Sequence, residues 1–379
     1  MNHTVALAKC TSYSYDDDAV QDGVRRSVDL LGGMERFVKP GQQVLLKPNL
    51  VRAAPPEQMV CTHPAVVMAV VHLVQEAGGQ PTIGESPGGP FVAPWLRAVY
   101  RRSGMTEVAR QTGAALNWDL RETHVPHPDG RRIKALEVCK FVTDADVVIS
   151  LPKLKTHGLM ELTGAIKNLF GVVPGTIKAA YHAKFPDLEM FGDMLLDVVT
   201  LIRPDLTIMD SIVAMDGQGP SAGDPFPVGA LLASSDSVAL DVVAAHLVGI
   251  DVDRIYPLRA AIARGLTTGQ AADVEIVGDS LSDFQVRGFR GPETRGASGG
   301  IGTLVARAVK QWFVAAPSSN GKCTGCGICV QSCPVDAITL VDKRSQMDLS
   351  TCIRCYCCHE MCPERAVDLR KPWPGRVLR

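Results

Sequence analysis

Asp146-Val147-Val148-Ile149-Ser150-Leu151 is a short apolar run that passes directly into Pro152-Lys153-Leu154-Lys155-Thr156-His157-Gly158. A run of this length and composition reads as a buried strand, so the polar cluster falls at the carboxyl end of a strand. Six similar runs lie at residues 5–8, 44–47, 81–85, 206–209, 229–233 and 274–277. Longer helical patterns separate most of them. Strands alternating with helices predict an α/β body whose mixed or mostly parallel sheet is flanked by helices. In residues 191–202, Phe191, Met194, Leu195, Val198, Val199 and Ile202 recur at helical spacing, and Glu189, Asp193 and Asp197 are expected opposite. Asp236 is an expected N-cap for a helix over 237–248.

In open α/β sheets ligands bind beyond the carboxyl ends of the strands. Four strands run into unusual loops. The 44–47 strand meets Pro48-Asn49-Leu50, and the 81–85 strand meets Ser86-Pro87-Gly88-Gly89-Pro90, a stiff turn whose amides suit an anion. The 146–151 strand meets the lysine-rich cluster, and the 206–209 strand meets Asp210 and then Asp216-Gly217-Gln218-Gly219-Pro220-Ser221. Convergence of these loops is expected to bring Lys47, Lys153, Lys155 and Lys167 to one crevice with Glu85, Asp210 and Asp216. Lysines hold carboxylate or phosphate as point charges, and His157 or a carboxyl group with a shifted pKa is suited to proton delivery. The candidate catalytic residues are therefore Lys153, Lys155, His157, Asp210 and Asp216, and the candidate binding residues are Lys47, Asn49, Ser86, Lys167 and Asn168. A strand-end Lys or Asp taken singly is more often solvated or structurally paired. His157, His182 and Asp210 also form a conceivable metal set, but their spacing is unconstrained and ordinary polar roles are preferred.

Lys47-Pro48-Asn49-Leu50, Pro152-Lys153-Leu154-Lys155-Thr156-His157, Thr163-Gly164-Ala165-Ile166-Lys167-Asn168-Leu169-Phe170-Gly171 and Asp216-Gly217-Gln218-Gly219-Pro220, with Ala239-Leu240-Asp241 downstream, follow one another over residues 40–250. In order and wording they resemble the widespread family of unknown function numbered 362. The resemblance implies this architecture, often fused to a ferredoxin module, and implies no particular reaction.

Nine of the twelve cysteines fall between Cys323 and Cys362. Cys323-Thr324-Gly325-Cys326-Gly327-Ile328-Cys329-Val330-Gln331-Ser332-Cys333-Pro334 is repeated by Cys352-Ile353-Arg354-Cys355-Tyr356-Cys357-Cys358-His359-Glu360-Met361-Cys362-Pro363 at an offset of 29 residues. Three thiolates two residues apart can wrap a tight loop around one cubane, with Gly325 and Gly327 letting the backbone approach the sulfides. Structural zinc also takes four thiolates, but two zinc sites do not need a third closely spaced cysteine before Cys-Pro in both halves. The runs resemble those of bacterial two-cluster ferredoxins over the last sixty or so residues. The resemblance implies two [4Fe-4S] clusters with crossed ligation: Cys323, Cys326, Cys329 and Cys362 for one, and Cys352, Cys355, Cys358 and Cys333 for the other. It also implies low-potential electron transfer. Cys357 lies outside the ligand frame and reads as a spare thiol beside the cluster, while Arg354, His359 and Arg365 read as surface residues. Cys10, Cys61 and Cys139 read as small buried hydrophobes.

The expected domains are a main body over 1–286, a linker over 287–320 with a docking helix near 303–315 that carries Trp312 and Phe313, and a small α+β two-cluster ferredoxin-like domain over 321–370. The 39 basic and 40 acidic side chains nearly cancel and nowhere form a basic tract, which argues against nucleic-acid and membrane partners. Neither an export signal nor a spanning segment is evident, so the expected location is cytoplasmic. No strand leads into G-x-G-x-x-G, and neither a P-loop nor H-E-x-x-H occurs. The leading expectation is an iron-sulfur oxidoreductase that relays electrons from an external protein donor, or to an acceptor, through the module to an anionic small molecule or bound cofactor in the main body. Two other roles are kept beside it: an electron-transfer adaptor that docks a partner enzyme, and an iron-sulfur redox sensor.

Overall fold

The computed structural model describes residues 3–10, 12–284, 286–292 and 314–370. All seven expected strands are present: β1 (Thr4–Lys9), β2 (Gln43–Pro48), β3 (Gln80–Ile83), β7 (Val147–Leu151), β10 (Leu206–Asp216), β11 (Asp224–Ser234) and β12 (Glu275–Gly278). Between β3 and β7 lie β4 (Ala115–Leu116) and a hairpin of β5 (Glu122–Pro126) and β6 (Ala135–Cys139), and after β7 come β8 (Lys153–His157) and β9 (Glu161–Thr163). The main sheet runs β12-β1-β11-β10-β7-β2-β3-β4, with β8 and β9 attached through β10. Along that path only β11 runs against its neighbours.

Alternation along the strands supplies two cores. Leu45 and Val148 face one side of the sheet, while Val44, Leu46, Val147 and Ile149 face the other. Helices Asp17–Asp29, Pro64–Glu76, Ala93–Arg102 and Met105–Thr112 cover the second face, and Leu188–Ile202, Ser237–Val248 and Tyr256–Ala263 cover the first. The result is an α/β fold with a mixed, mostly parallel sheet between helical layers. Asp236 caps its helix as expected, accepting from the N–H groups of Val238 at 2.8 Å and Ala239 at 3.0 Å.

Two local expectations differ from the structure. The lysine-rich segment after β7 is a strand, β8, rather than a loop. β10 continues well past the end of β7, with a register shift between Ser211 and Val213, and its extension pairs with Lys153 and Lys155. Asp193 and Asp197 are buried rather than solvated. Arg132 and Arg264 reach Asp193 at 2.5 and 2.6 Å, and Asp197 accepts three successive backbone N–H groups from Arg131, Arg132 and Ile133.

The C-terminal module is small and α+β. β13 (Ala316–Ser319), which falls inside the expected 287–320 linker, pairs antiparallel with β16 (Val367–Arg370) as part of the module, β14 (Ile338–Val341) pairs with β15 (Arg344–Met347), and short helices span Ile328–Gln331 and Cys357–Met361. Most of the expected docking helix, including Trp312 and Phe313, lies outside the described residues. Among the described residues, no helix is long and apolar enough to cross a membrane.

Candidate functional site: a crevice between the sheet and the cysteine module

The 29-residue sequence repeat is also a backbone repeat. Gly325 and Arg354, Gly327 and Tyr356, and Asp336 and Arg365 all have positive φ, from 50° to 77°. A side chain at Gly325 would also strike the carbonyl oxygen of Lys343, at 2.6 Å from an added Cβ. The turns carry the thiols into two clefts. Cys323, Cys326, Cys329 and Cys362 line one, and Cys333, Cys352, Cys355 and Cys358 line the other together with Cys357. Each fourth cysteine thus stands with the first three of the other run. Backbone N–H groups point at the sulfurs: Ala337 to Cys333 at 3.2 Å, and its repeat mate Ala366 to Cys362 at 3.1 Å. Four thiols, N–H donors to sulfur and apolar walls such as Leu340, Val367, Ile338 and Met347 are the surroundings an iron-sulfur cubane takes. Among the described residues, no three His, Cys, Asp or Glu side chains are grouped so as to grip a single metal ion.

Beside the second cleft lies a cavity of about 110 Å³. One wall is built by the segments that follow β2 and β3: Asn49, Leu50 and Val51, then Glu85 and the turn from Ser86 to Gly89. Another comes from His157 at the end of β8, Thr163 at the end of β9, and Lys167, Asn168 and Phe170 just beyond. Lys178, Ala179 and His182 enter from helix Ile177–Lys184. The module closes the cavity with Cys357, Glu360 and Met361. Cys357 therefore borders both the thiol cleft and the crevice.

Several of these groups hold each other. Lys47 donates to Glu85 Oε2 at 2.7 Å and to Asn168 Oδ1 at 3.2 Å, and Asn168 Nδ2 donates to Ser150 Oγ at 2.9 Å. Burial lowers the pKa of Lys47 and raises that of Glu85, and each charge opposes the effect on the other. Lys178 donates to the carbonyls of Ser86 and Val173 and to Ser86 Oγ, and burial pushes it down to about 8. His182 stacks on Phe191 with ring centroids 4.3 Å apart, and burial pushes it down to about 3.

Other groups are left with capacity to bind. His157 is 1% exposed, and its Nδ1 accepts from the N–H groups of Leu159 at 3.1 Å and Met160 at 3.3 Å. Its Nε2 has no hydrogen-bond partner among the described residues; Glu360 Oε1 approaches to 3.4 Å without hydrogen-bond geometry. Burial, then the nearby lysines and His182, hold His157 well below the ordinary histidine pKa, so it is neutral at pH 7. Thr163 Oγ1 and Glu85 Oε1 are likewise buried and without a hydrogen-bond partner among the described residues. Lys167 sits 5.8 Å from the Phe170 ring centroid, and burial lowers its pKa against the opposing charges of Glu360 and Cys357.

Of the residues singled out in the sequence, Asn49, Ser86, His157, Lys167 and Asn168 line the crevice, and Lys47 stands behind it on Glu85. The others go elsewhere. Lys153 and Asp210 form a separate buried cluster: Lys153 Nζ donates to Asp210 Oδ2 at 2.7 Å and to the Tyr15 hydroxyl at 2.5 Å, and that hydroxyl donates to Asp210 Oδ1. Lys155 is buried and donates to Asn49 Oδ1 and the Val60 carbonyl, both at 2.6 Å, with burial pushing it down to about 7. Asp216 pairs with Arg290. The expected single crevice containing Lys153, Lys155, Asp210 and Asp216 is therefore not formed, and Asp210 is not grouped with His157 and His182 in a metal site. Thr163, Lys178, Glu360 and Met361 were not identified from sequence. Thr163 and Glu360 sit in motifs already singled out, but nothing in spacing shows that the module's helix faces the sheet.

The family model for a domain of unknown function, DUF362, matches residues 44–246, and one for a 4Fe-4S binding domain matches residues 318–339. A thylakoid-associated protein of Synechocystis sp. is 41% identical over 258 residues, covering 67% of this chain and 78% of that protein. A component of an ion-translocating oxidoreductase complex from Methanosarcina acetivorans is 35% identical over 48 residues, covering 13% of this chain and 18% of that protein. Among solved structures, the lactate racemase apoprotein from Thermoanaerobacterium thermosaccharolyticum aligns with a TM-score of 0.39 at 14% identity, covering 67% of this chain and 58% of that one. With a crevice assembled from the 44–246 segment and a thiol-lined module closing it, the chain is a member of the DUF362 family that carries a C-terminal iron-sulfur binding domain.

Proposed function

We propose that this chain is an iron-sulfur oxidoreductase that holds two [4Fe-4S] clusters and passes electrons from an external donor protein to an anionic small molecule, or a bound organic cofactor, in the crevice. Cys323, Cys326, Cys329 and Cys362 hold one cluster; Cys333, Cys352, Cys355 and Cys358 hold the other. A bound cluster would supply single electrons. The chain's own residues bind and orient the acceptor and keep water from it. The observation that carries this reading is that Cys357 borders both the second thiol cleft and the crevice, so that a cluster and a bound molecule would be neighbours. Cys326 is the one exposed cysteine among the described residues, which supports the first cleft as the point where electrons enter. Covalent fusion makes the second transfer intramolecular.

Protein purified without oxygen is expected to contain about eight irons per chain and to give cluster signals in electron paramagnetic resonance after dithionite. Mass spectrometry of the released small molecules is expected to yield an anion that reoxidises the reduced clusters. Zinc in place of iron would remove the redox reading. Clusters that no retained molecule reoxidises, in a chain that copurifies with a partner enzyme, would replace it with the adaptor.

A further inference from the structure

We propose that Lys167 Nζ, His157 Nε2–H and Thr163 Oγ–H form a recognition site for one carboxylate-type oxyanion on the molecule that occupies the crevice. The inference deepens the proposed function and rests on it for the identity of the occupant as an electron acceptor.

The tautomer of His157 is fixed by its surroundings. Two backbone N–H groups point at Nδ1, so that nitrogen is an acceptor and the proton of the neutral ring resides on Nε2. Nε2 then presents a buried donor with no hydrogen-bond partner among the described residues, the Glu360 carboxylate lying 3.4 Å away outside hydrogen-bond geometry. Thr163, 3% exposed, repeats the situation one strand away, because its hydroxyl has no partner among the described residues and it lines the same cavity. A buried donor left unmatched costs free energy that a bound acceptor restores. Lys167, the third, lines the same cavity beside the Phe170 ring, with Glu360 near enough to act on its charge. Three donors of this kind, one of them charged, call for an oxygen anion with several lone pairs.

The pairing of the charged groups around the cavity singles out the same lysine. Lys47, Lys167 and Lys178 stand on or directly behind the cavity with Glu85 and Glu360. Lys47 is matched by Glu85 at 2.7 Å, and Lys178 is committed to neutral oxygens. Lys167 is thus the ammonium group lining the cavity that no hydrogen bond among the described residues ties to a carboxylate or a neutral oxygen, with Glu360 as its nearest opposite charge. The size of the cavity, about 110 Å³, is somewhat below that of an engineered cavity that holds benzene, so the enclosed part of the ligand has roughly six non-hydrogen atoms. A larger molecule would place its acid end here and the remainder toward the opening.

The test uses the holoprotein with benzoate and acetate as probes, each compared with its uncharged amide, by anaerobic calorimetry. The carboxylates are expected to bind at least tenfold more tightly than the amides. Lys167→Met is expected to weaken carboxylate binding tenfold or more and leave the amides unchanged, and Thr163→Val, which keeps the side-chain shape, to weaken it a few-fold. Iron content and thermal midpoint, measured on each variant, establish that it is folded. Carboxylates and amides of equal affinity, carboxylates that do not bind, or a Lys167→Met protein that binds them like the parent would each overturn the oxyanion site. Reoxidation of the clusters by the retained molecule, measured in parallel, decides the electron-transfer reading separately.

Discussion

Asp210 is the acceptor on which a buried cluster depends. Its Oδ1 accepts from the Tyr15 hydroxyl at 2.8 Å, and its Oδ2 accepts from Lys153 Nζ at 2.7 Å and from the backbone N–H of His63 at 3.0 Å. Lys153 and Asp210 are both 0% exposed. Truncating one member of such a pair leaves an uncompensated charge in the core, at a cost of about 3–5 kcal/mol. Asp210→Ala is therefore expected to lower stability by about that amount, and adding Lys153→Met to recover part of it, as measured by anaerobic urea unfolding with tryptophan fluorescence. An Asp210→Ala protein as stable as the parent would show that the pair is dispensable. At this scale the sequence is ambiguous for a physical reason. Lys153, Lys155 and Lys167 are the same residue type within one motif region, yet the first is neutralised by a core carboxylate, the second satisfied by Asn49 and a carbonyl, and only the third left open to the crevice. Which of these holds depends on partners far along the chain, and spacing does not report them.

At the scale of elements, apolar runs were a sound guide wherever hydrophobic burial built the strand, and all seven such strands exist. β8 escaped because all its residues but Leu154 are Lys, Lys, Thr and His, buried where the strand pairs with β10 and β9 rather than through apolar character. Helix Pro64–Glu76 shows another polar device. His63 caps it by accepting from the Ala65 N–H at 3.2 Å, and its ring stacks on Tyr15 with centroids 3.7 Å apart. Burial pushes His63 down to about 4, against the attraction of Asp210. A histidine that is harder to protonate in the folded state than in the unfolded chain makes unfolding take up a proton. Its contribution is intact above the ordinary value of 6.5 and is lost as pH falls from there toward 4. The slope is at most about 1.4 kcal/mol per pH unit for this one group. His63→Asn retains a capping oxygen and removes the titration. Stability of the parent, measured by urea unfolding between pH 7 and 4.5, is expected to fall more steeply than that of the variant, and parallel profiles would rule out His63 as a source of the acid sensitivity.

For the whole molecule, the repeat of 29 residues made the module legible, because cluster ligation imposes spacing directly on the sequence. Docking imposes none, so the position of the module on the sheet was not legible. The contact is nevertheless specific. Ser221 Oγ donates to the Glu360 carbonyl at 2.9 Å, and Arg52 reaches the Ser221 carbonyl at 3.3 Å and the Pro363 carbonyl at 3.5 Å. Gly88 allows the closest approach: a Cβ placed there would lie 1.8 Å from Met361 Sδ and 3.1 Å from the Val51 carbonyl oxygen. The sulfur is the end of a flexible side chain and can withdraw from a methyl group, whereas a branched side chain at Gly88 would also meet backbone. Gly88→Val is therefore expected to push helix Cys357–Met361 away from the turn after β3 and widen the crevice, without touching a cluster cysteine. Iron content and the cluster signals should stay at parental values, while reoxidation of the reduced clusters by the crevice ligand should slow at least tenfold. Hydrogen exchange should rise across both the turn from Ser86 to Gly89 and the Cys357–Met361 helix. A Gly88→Val protein that keeps the parental rate would mean that electrons do not leave the module through this face.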